Sequence, residues 1–207
     1  MSFSYTSANG NNSVKCNLEC RQCDAQRKGG GRCKRTTCKM LPFCSQHTKS
    51  ELGVEIKKST IPRAGSGLFA LQNFCKGQKI APYTGKIIND RQKAKMYGHS
   101  KNDLAPYGVH MFRDQNMDAA CTRGIGGFSN TLPNKNNSKL VVNGRLKTVS
   151  IKASKAIKRG AEIFTSYGAS YWAKPNSAPK PTYGTTPRKT KNETPIPSKR
   201  PKKRARH

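Results

Sequence analysis

The fold is decided by two stretches of sequence, Gly65-Ser66-Gly67-Leu68-Phe69-Ala70 and Thr165-Ser166-Tyr167-Gly168-Ala169-Ser170-Tyr171-Trp172. The first contains a glycine pair, which lets the backbone approach a ligand closely, and it continues directly into apolar residues of strand type. In the second, a tyrosine precedes a glycine, so that its hydroxyl can project from a turn into a site. Between them lies Gly127-Phe128-Ser129-Asn130. The order and spacing of the three patches carry more information than any one of them.

Length and composition set the class of protein. The 207 residues leave room for one domain of ordinary size and some appendages. Hydrophobic residues make up 33% of the sequence, a low share, so part of the chain is not expected to enter a core. No apolar run approaches the roughly 20 residues of a membrane helix, and the N-terminus lacks the apolar segment of a secretory signal. We therefore expect a soluble intracellular protein without a membrane partner.

The formal net charge of +30 is the second large feature. Basic residues exceed acidic ones in every part of the chain, which favours a polyanionic partner, and nucleic acid is the commonest one. The glycine-rich loop 27–35 is suited to phosphate contact. The run from Pro197 to Arg206 is of the nuclear-localisation type, and a solvated nucleic-acid arm is the plain alternative.

Composition divides the chain into four segments. Residues 1–15 are polar and residues 174–207 are rich in Pro, Ser, Thr and Lys, so we expect both to be disordered. Residues 16–50 contain six of the eight cysteines. In residues 52–173, short strand-like apolar runs alternate with turn residues, and one helix is predicted at about Asp90–Tyr97, after Asn89 as N-cap. This pattern predicts a β-rich α+β domain.

The cysteine-rich segment has the ligand types of a zinc site. Its Cys44-Ser45-Gln46-His47 spacing lets two ligands reach one tetrahedral ion, and a segment this small and polar needs metal to fold. The preferred ligands are Cys23, Cys33, Cys44 and His47. A Cys20–Cys23 pair competes, a two-metal site stays open, and the roles of Cys16 and Cys38 are undecided. Disulfides would need an oxidising compartment, which nothing in the sequence indicates. The segment also resembles Cys/His modules beside enzymes of large DNA viruses.

In their order, the three patches resemble the SET-domain protein-lysine methyltransferases. The resemblance covers about residues 52–172 and implies small sheets of short strands with a pseudoknot-like C-terminal segment. It further implies S-adenosylmethionine as methyl donor and an acceptor lysine that enters through a narrow channel. By this resemblance the candidate catalytic residues are Tyr167, which matches the tyrosine at the lysine channel, Tyr83, which matches a strand tyrosine that often lines it, and Tyr107, which matches a tyrosine that opens a strand. The positions that match the cofactor-binding residues are Gly65, Gly67, Leu68, Phe128, Asn130 and Trp172.

The chemistry fits these residue types. A sulfonium methyl is already electrophilic, so the protein mainly has to align donor and acceptor. The acceptor amine must be neutral although free lysine titrates near about 10.4, and a dry aromatic channel lowers that pKa. Tyr167 is expected to orient the amine by hydrogen bonding. We do not expect it to act as a general base, since a phenol with a pKa near 10 is a poor proton acceptor.

The sequence departs from the family pattern on both sides of Asn130. The family's arginine and histidine are here Gly127 and Thr131, and no cysteine follows Trp172 to build the family's zinc-bound C-terminal cap. The leading hypothesis is a methyltransferase for a histone or histone-like protein on nucleosomes, in the host nucleus or, for a viral protein, the virion. A catalytically weak SET-like protein that binds chromatin or nucleic acid is the alternative. A zinc-dependent nucleic-acid-binding protein is the third class.

Overall fold

The computed structural model describes residues 2–6, 13–17, 20–37, 41–98, 105 and 107–168. The predicted disordered tail, Trp172 and Cys38 lie outside these residues. Within them, neither helix combines the length and the apolar character that crossing a bilayer requires.

The N-terminal part begins with an antiparallel strand pair, β1 (Ser2–Thr6) and β2 (Ser13–Asn17). For residues 2–6 and 13–15, this pair differs from the expectation of disorder. The polar composition concealed a two-residue alternation, in which Phe3 lies opposite Cys16 and Tyr5 opposite Val14 in the register. A period-2 pattern of this kind supports strand pairing even where the intervening residues are polar.

The Cys/His module, residues 20–52, follows and contains little regular structure. Its two-residue strands β3 (Arg21–Gln22) and β4 (Thr36–Thr37) pair, and helix α1 (Ser45–Leu52) follows them. Sequence analysis did not predict α1, because its N-cap Cys44 makes no side-chain capping bond and its sequence has few apolar residues. The helix ends at Gly53, where φ is 63° and the amide donates to Lys49, as in an αL cap.

The central domain consists of small sheets. Strands β5 (Val54–Lys58) and β6 (Ser66–Ala70) form an antiparallel pair. A four-stranded sheet has the order β13-β11-β12-β7, with bounds Lys79–Tyr83 for β7, Ser138–Asn143 for β11, Thr148–Ala153 for β12 and Thr165–Ser166 for β13. A three-stranded sheet has the order β8-β10-β9, with bounds Lys86–Asn89, Gln115–Asp118 and Gly108–Phe112 respectively.

The predicted helix is confirmed as α2 (Asp90–Tyr97). Asn89 accepts a hydrogen bond from the Gln92 amide, and the Gln92 side chain accepts one from the Asn89 amide. These two bonds form a capping box, which satisfies two backbone donors at the helix start.

The C-terminal segment lies between two parts of the chain that precede it. Thr165 donates its amide to the carbonyl of Asn130, while β13 pairs in parallel with β11. The main core contains apolar side chains from the strands and from the loops between them, including Val54, Leu68, Phe74, Ile125, Ile151 and Ile163. The predicted fold, a β-rich α+β domain with small sheets and a pseudoknot-like C-terminal segment, is confirmed.

Candidate active site and metal centre

The glycine pair forms an open edge beside a buried carboxylate. Gly65 has φ of 71°, a left-handed conformation that favours glycine, and a Cβ placed there would meet no atom within 4 Å. A Cβ at Gly67 would instead overlap Oε1 of Glu162. Gly65 therefore leaves room for a ligand at the backbone, whereas Gly67 makes room for Glu162.

Asn130 lies against the same edge. Its Nδ2 donates to the carbonyl oxygen of Ser66 at 3.1 Å, to Oγ of Ser59 at 3.1 Å and to Oε1 of Glu162 at 3.3 Å. Among the described residues, nothing donates to Asn130 Oδ1. That oxygen is therefore available as an acceptor for an ammonium group, which fits the amino-acid end of S-adenosylmethionine.

Glu162 was not predicted as a site residue. Ser59 Oγ donates to its Oε1 at 2.6 Å, and the Thr60 amide donates to Oε2 at 2.7 Å, as does the Thr60 hydroxyl. Burial alone would raise the pKa of this carboxyl, but these donors and Asn130 hold it below its usual value. Its only sequence signal was its place before the apolar run that leads to Tyr167, which does not reveal its partners.

Two of the three predicted site tyrosines, Tyr107 and Tyr167, interact with one arginine, Arg123. Tyr167 donates its hydroxyl to the carbonyl of Ser129 at 2.8 Å, and Tyr83 donates its hydroxyl to the carbonyl of Tyr107 at 2.9 Å. The guanidinium carbon of Arg123 lies 3.8 Å from the ring centroid of Tyr107, a cation–π distance. Burial lowers the pKa of Arg123 to about 10, while Tyr167 acts to raise it. Arg123 thus stays cationic at neutral pH.

Arg123 occupies space that Gly127 provides. Its guanidinium carbon is 5.8 Å from the ring centroid of Phe128, and a Cβ at Gly127 would overlap Arg123 Cγ. The family motif has an arginine at the position of Gly127. In this chain the guanidinium beside these aromatic rings comes from Arg123, four residues before Gly127, in the loop after β10.

We expect Gly127→Ala to destabilise the protein by about 1–3 kcal/mol, because the added methyl overlaps Arg123. Combining it with Arg123→Ala should cost less than the sum of the two single changes, since the overlap is then gone. Urea unfolding of the four proteins measures this coupling. Gly29→Ala is the control, because a Cβ at Gly29 meets nothing within 4 Å. Strict additivity would contradict the contact between Arg123 and Gly127.

Of the other residues predicted to bind the cofactor, two lie in the core and one lies outside the described residues. Leu68 is fully buried, and its carbonyl accepts from the Ile163 amide at 2.8 Å, so its side chain faces the core instead of the open edge. Phe128 is buried beside the Arg123 loop and belongs to the main core. Trp172 lies outside the described residues.

The four preferred metal ligands lie together in the Cys/His module. The ligand atoms of Cys23, Cys33, Cys44 and His47 are all within 4.8 Å of one another. Nδ1 of His47 is 3.4 Å from Sγ of Cys23 and 3.3 Å from Sγ of Cys44. Zinc bond lengths in a tetrahedron place sulfur and nitrogen about 3.6 Å apart, so the cluster has the size and donor set that a zinc ion needs.

Backbone amides complete this cluster. The amide of Cys44 donates to Sγ of Cys23 at 3.2 Å, and the amide of Arg35 donates to Sγ of Cys33 at 3.4 Å. Burial would raise the pKa of the Cys44 thiol, but hydrogen bonds from His47 and other neighbours lower it to about 7. Cys44 therefore favours the thiolate, the form of cysteine that binds metal, whereas burial raises the pKa of the Cys23 thiol.

Cys16 and Cys20 differ from the expectation. Cys16 forms a disulfide with Cys121, a sequence separation of 105, and Cys20 is also disulfide-bonded. Disulfides had not been expected, and no local spacing could have revealed a partner so far along the chain. The Cys16–Cys121 bond ties β2 to the loop that carries Arg123.

Comparison with curated proteins yields no match. Among solved structures, the polycomb repressive complex 2 of Chaetomium thermophilum has 23% identity and a TM-score of 0.49, covering 61% of this chain and 16% of that chain. The same complex with H3K27me3 has 25% identity and a TM-score of 0.45, covering 56% and 14%. The methyltransferase domain of human PR domain-containing protein 2 has 18% identity and a TM-score of 0.46, covering 59% and 83%. This chain thus spans a small part of the polycomb chains.

The family comparison covers the region that holds the open edge, Asn130 and Tyr167. The model for the SET domain matches residues 65–168, half of the sequence, and the chain belongs to the SET domain family.

Proposed function

We propose that the chain is a protein-lysine N-methyltransferase that transfers a methyl group from S-adenosylmethionine to a lysine of a histone or histone-like protein. The observation that supports this most is the continuity of the site through Ser129 and Asn130. The Ser129 carbonyl holds the Tyr167 hydroxyl, and the next residue, Asn130, holds the open edge at Ser66. One short segment therefore links the expected cofactor side to the expected lysine side.

S-adenosylmethionine supplies an electrophilic methyl group, and the residues of this chain bind and align the reactants. Gly65 and Asn130 Oδ1 are the groups that would hold the donor. Tyr83, Tyr107 and Tyr167 would line the acceptor channel. Desolvation in a dry channel disfavours a charged amine, and the cationic Arg123 beside Tyr107 acts in the same direction. Both effects raise the fraction of neutral lysine, which is the nucleophile.

The test is incubation of the zinc-loaded full chain with labelled S-adenosylmethionine and nucleosomes. We expect labelled histone, with Tyr167→Phe and Asn130→Ala lowering the rate by roughly 10²-fold or more, the usual effect of losing a positioning hydrogen bond. Tyr183→Phe, in the C-terminal tail, is the matched tyrosine control and should retain the rate. Label that persists in both site variants would refute the assigned site.

A second candidate is a SET-like chromatin-binding protein with little activity. The observation in its favour is that Thr131, where the family has histidine, lies 3.5 Å from Asn136 in a local hydrogen bond. A wild-type protein that binds nucleosomes but leaves the histones unlabelled would support this candidate. For either function the basic tail favours the nucleus, where reducing conditions would keep Cys16 and Cys121 as thiols. A viral origin stays a prediction.

A further inference from the structure

Among its described residues, the Cys/His module exposes four cations that form no ion pair with an acidic side chain. Arg27, Lys28, Lys34 and Arg35 are exposed, and none of them forms an ion pair with the described residues. We call these four side chains the cationic face. Arg27 and Lys28 lie at the start of the turn that the Gln26–Arg32 bridge closes, and Lys34 and Arg35 lie after that bridge. A concentration of like charge without counter-ions favours an anionic partner.

Two neighbouring arginines have a different role. Arg21 and Arg32 both pair with Asp24, and Arg32 also donates to the carbonyls of Cys23 at 2.9 Å and Gln22 at 2.8 Å. These bonds hold the loop in shape. The module thus separates two structural arginines from four cations whose charge is free for a partner.

The cationic face lies between two hollows. One has a volume of about 760 Å³ and is lined by Lys34, Arg35 and Lys49 together with the start of α1. The other has a volume of about 550 Å³ and is lined by Arg27 and Lys28 in addition to Lys34 and Arg35. Lys34 and Arg35 border both hollows and therefore form a ridge between them. Cations on both sides of a ridge suit a row of anions better than a single one.

We propose that the cationic face binds the phosphate backbone of double-stranded DNA. Apart from the thiols of Cys33 and Cys44, the residues that line the hollows are polar or charged, and Glu51 is the only acid among them. Surfaces that bind proteins usually centre on aromatic or aliphatic side chains, which these linings lack. Backbone phosphates need only positive charge and donors. The proposal does not depend on methyltransferase activity.

The experiment is fluorescence anisotropy of a labelled mixed-sequence DNA duplex with the zinc-loaded full chain at several salt concentrations. The variant carries Arg27→Gln, Lys28→Gln, Lys34→Gln and Arg35→Gln. Its matched control carries Arg145→Gln, Lys155→Gln, Lys158→Gln and Arg159→Gln, which removes the same charge from exposed positions of the SET domain. Zinc content and thermal melting confirm that each protein is folded.

We expect the variant of the cationic face to bind DNA roughly tenfold more weakly. The slope of the logarithm of the binding constant against the logarithm of the salt concentration should become shallower by about 0.9 for each lost phosphate contact. The control should lose much less. Equal losses in both variants would overturn the proposal, because net charge alone would then explain binding. If the fourfold variant does not fold, Lys28→Gln with Lys34→Gln decides the question in the same assay. Equally tight binding of a polyglutamate peptide to the same face would also overturn the assignment to DNA.

Discussion

Replacing Cys33 with serine, or stripping metal with a strong chelator, is expected to unfold the Cys/His module. The module's own apolar cluster consists of Cys23, Ala25, Cys33 and Cys44 with Phe43 against it, which is too little to hold the segment together. A structural zinc ion contributes about 10–16 kcal/mol of apparent binding free energy at neutral pH, and that energy is folding energy for such modules. The folded structure of the module should therefore be lost almost completely.

Elemental analysis should find one zinc per chain in the wild type and none in the Cys33→Ser variant. Limited trypsin digestion should then cleave the loop 27–35 faster than in the zinc-loaded wild type. Phe43 links the module to the main core, so the core should also melt at a lower temperature. Cys75→Ser is the control, because Cys75 is exposed and lies outside the cluster.

The same measurement separates the two ligand choices that the sequence left open. Under reducing conditions, Cys20→Ser should retain zinc if Cys23, Cys33, Cys44 and His47 are the ligands. Loss of zinc in that variant would favour the Cys20–Cys23 pair. A metal-free wild type that resists trypsin would contradict the zinc centre altogether.

Replacing Glu162 with alanine is the second change with a large expected effect, about 3 kcal/mol or more of lost stability. The carboxylate accepts hydrogen bonds from Ser59, Thr60 and Asn130 inside the protein. Its removal leaves these donors without their acceptor, and Ser59 among them is buried. Glu162→Gln keeps the shape of the side chain but not its charge, so we expect an intermediate loss.

Urea unfolding at neutral pH measures this effect, with Glu51→Ala as the control because Glu51 is exposed. The pKa of Glu162 is lowered in the folded protein from an ordinary value of 4.5. Its contribution is therefore complete above pH 4.5 and is lost as the pH falls through the lower, folded-state pKa. The stability difference between wild type and Glu162→Ala should shrink in that acidic range. A difference that is independent of pH would contradict an ionised Glu162.

Loss of Glu162 should also disturb the residues of the candidate active site. Asn130 would lose one of three acceptors that fix its amide, and Gly67 would face an empty space instead of the carboxylate. We therefore expect weaker cofactor binding in Glu162→Ala even under conditions where the protein remains folded. Calorimetric titration with S-adenosylmethionine measures this directly.

Local patterns explain which predictions from sequence agree with the structure. The helix at Asp90–Tyr97 follows from Asn89 and Gln92, which interact across three residues. The proposed zinc ligands include Cys44 and His47, whose spacing brings both side chains to one side of the start of α1. Helix α1 itself was missed, because it depends on the module around it more than on its own capping or apolar pattern.

The sequence by itself determined the family and the order of the site's parts, because Gly65, Asn130 and Tyr167 keep a recognisable spacing. Only the tertiary structure decided what surrounds them. Glu162 reaches Ser59 across 103 residues, and Cys16 reaches Cys121 across 105. Arg123 fits beside Gly127 because glycine has no side chain there. Asp24 pairs with Arg21 and Arg32, which leaves the four side chains of the cationic face without an ion pair among the described residues. Such relations arise from packing and charge in three dimensions, which residue spacing does not encode.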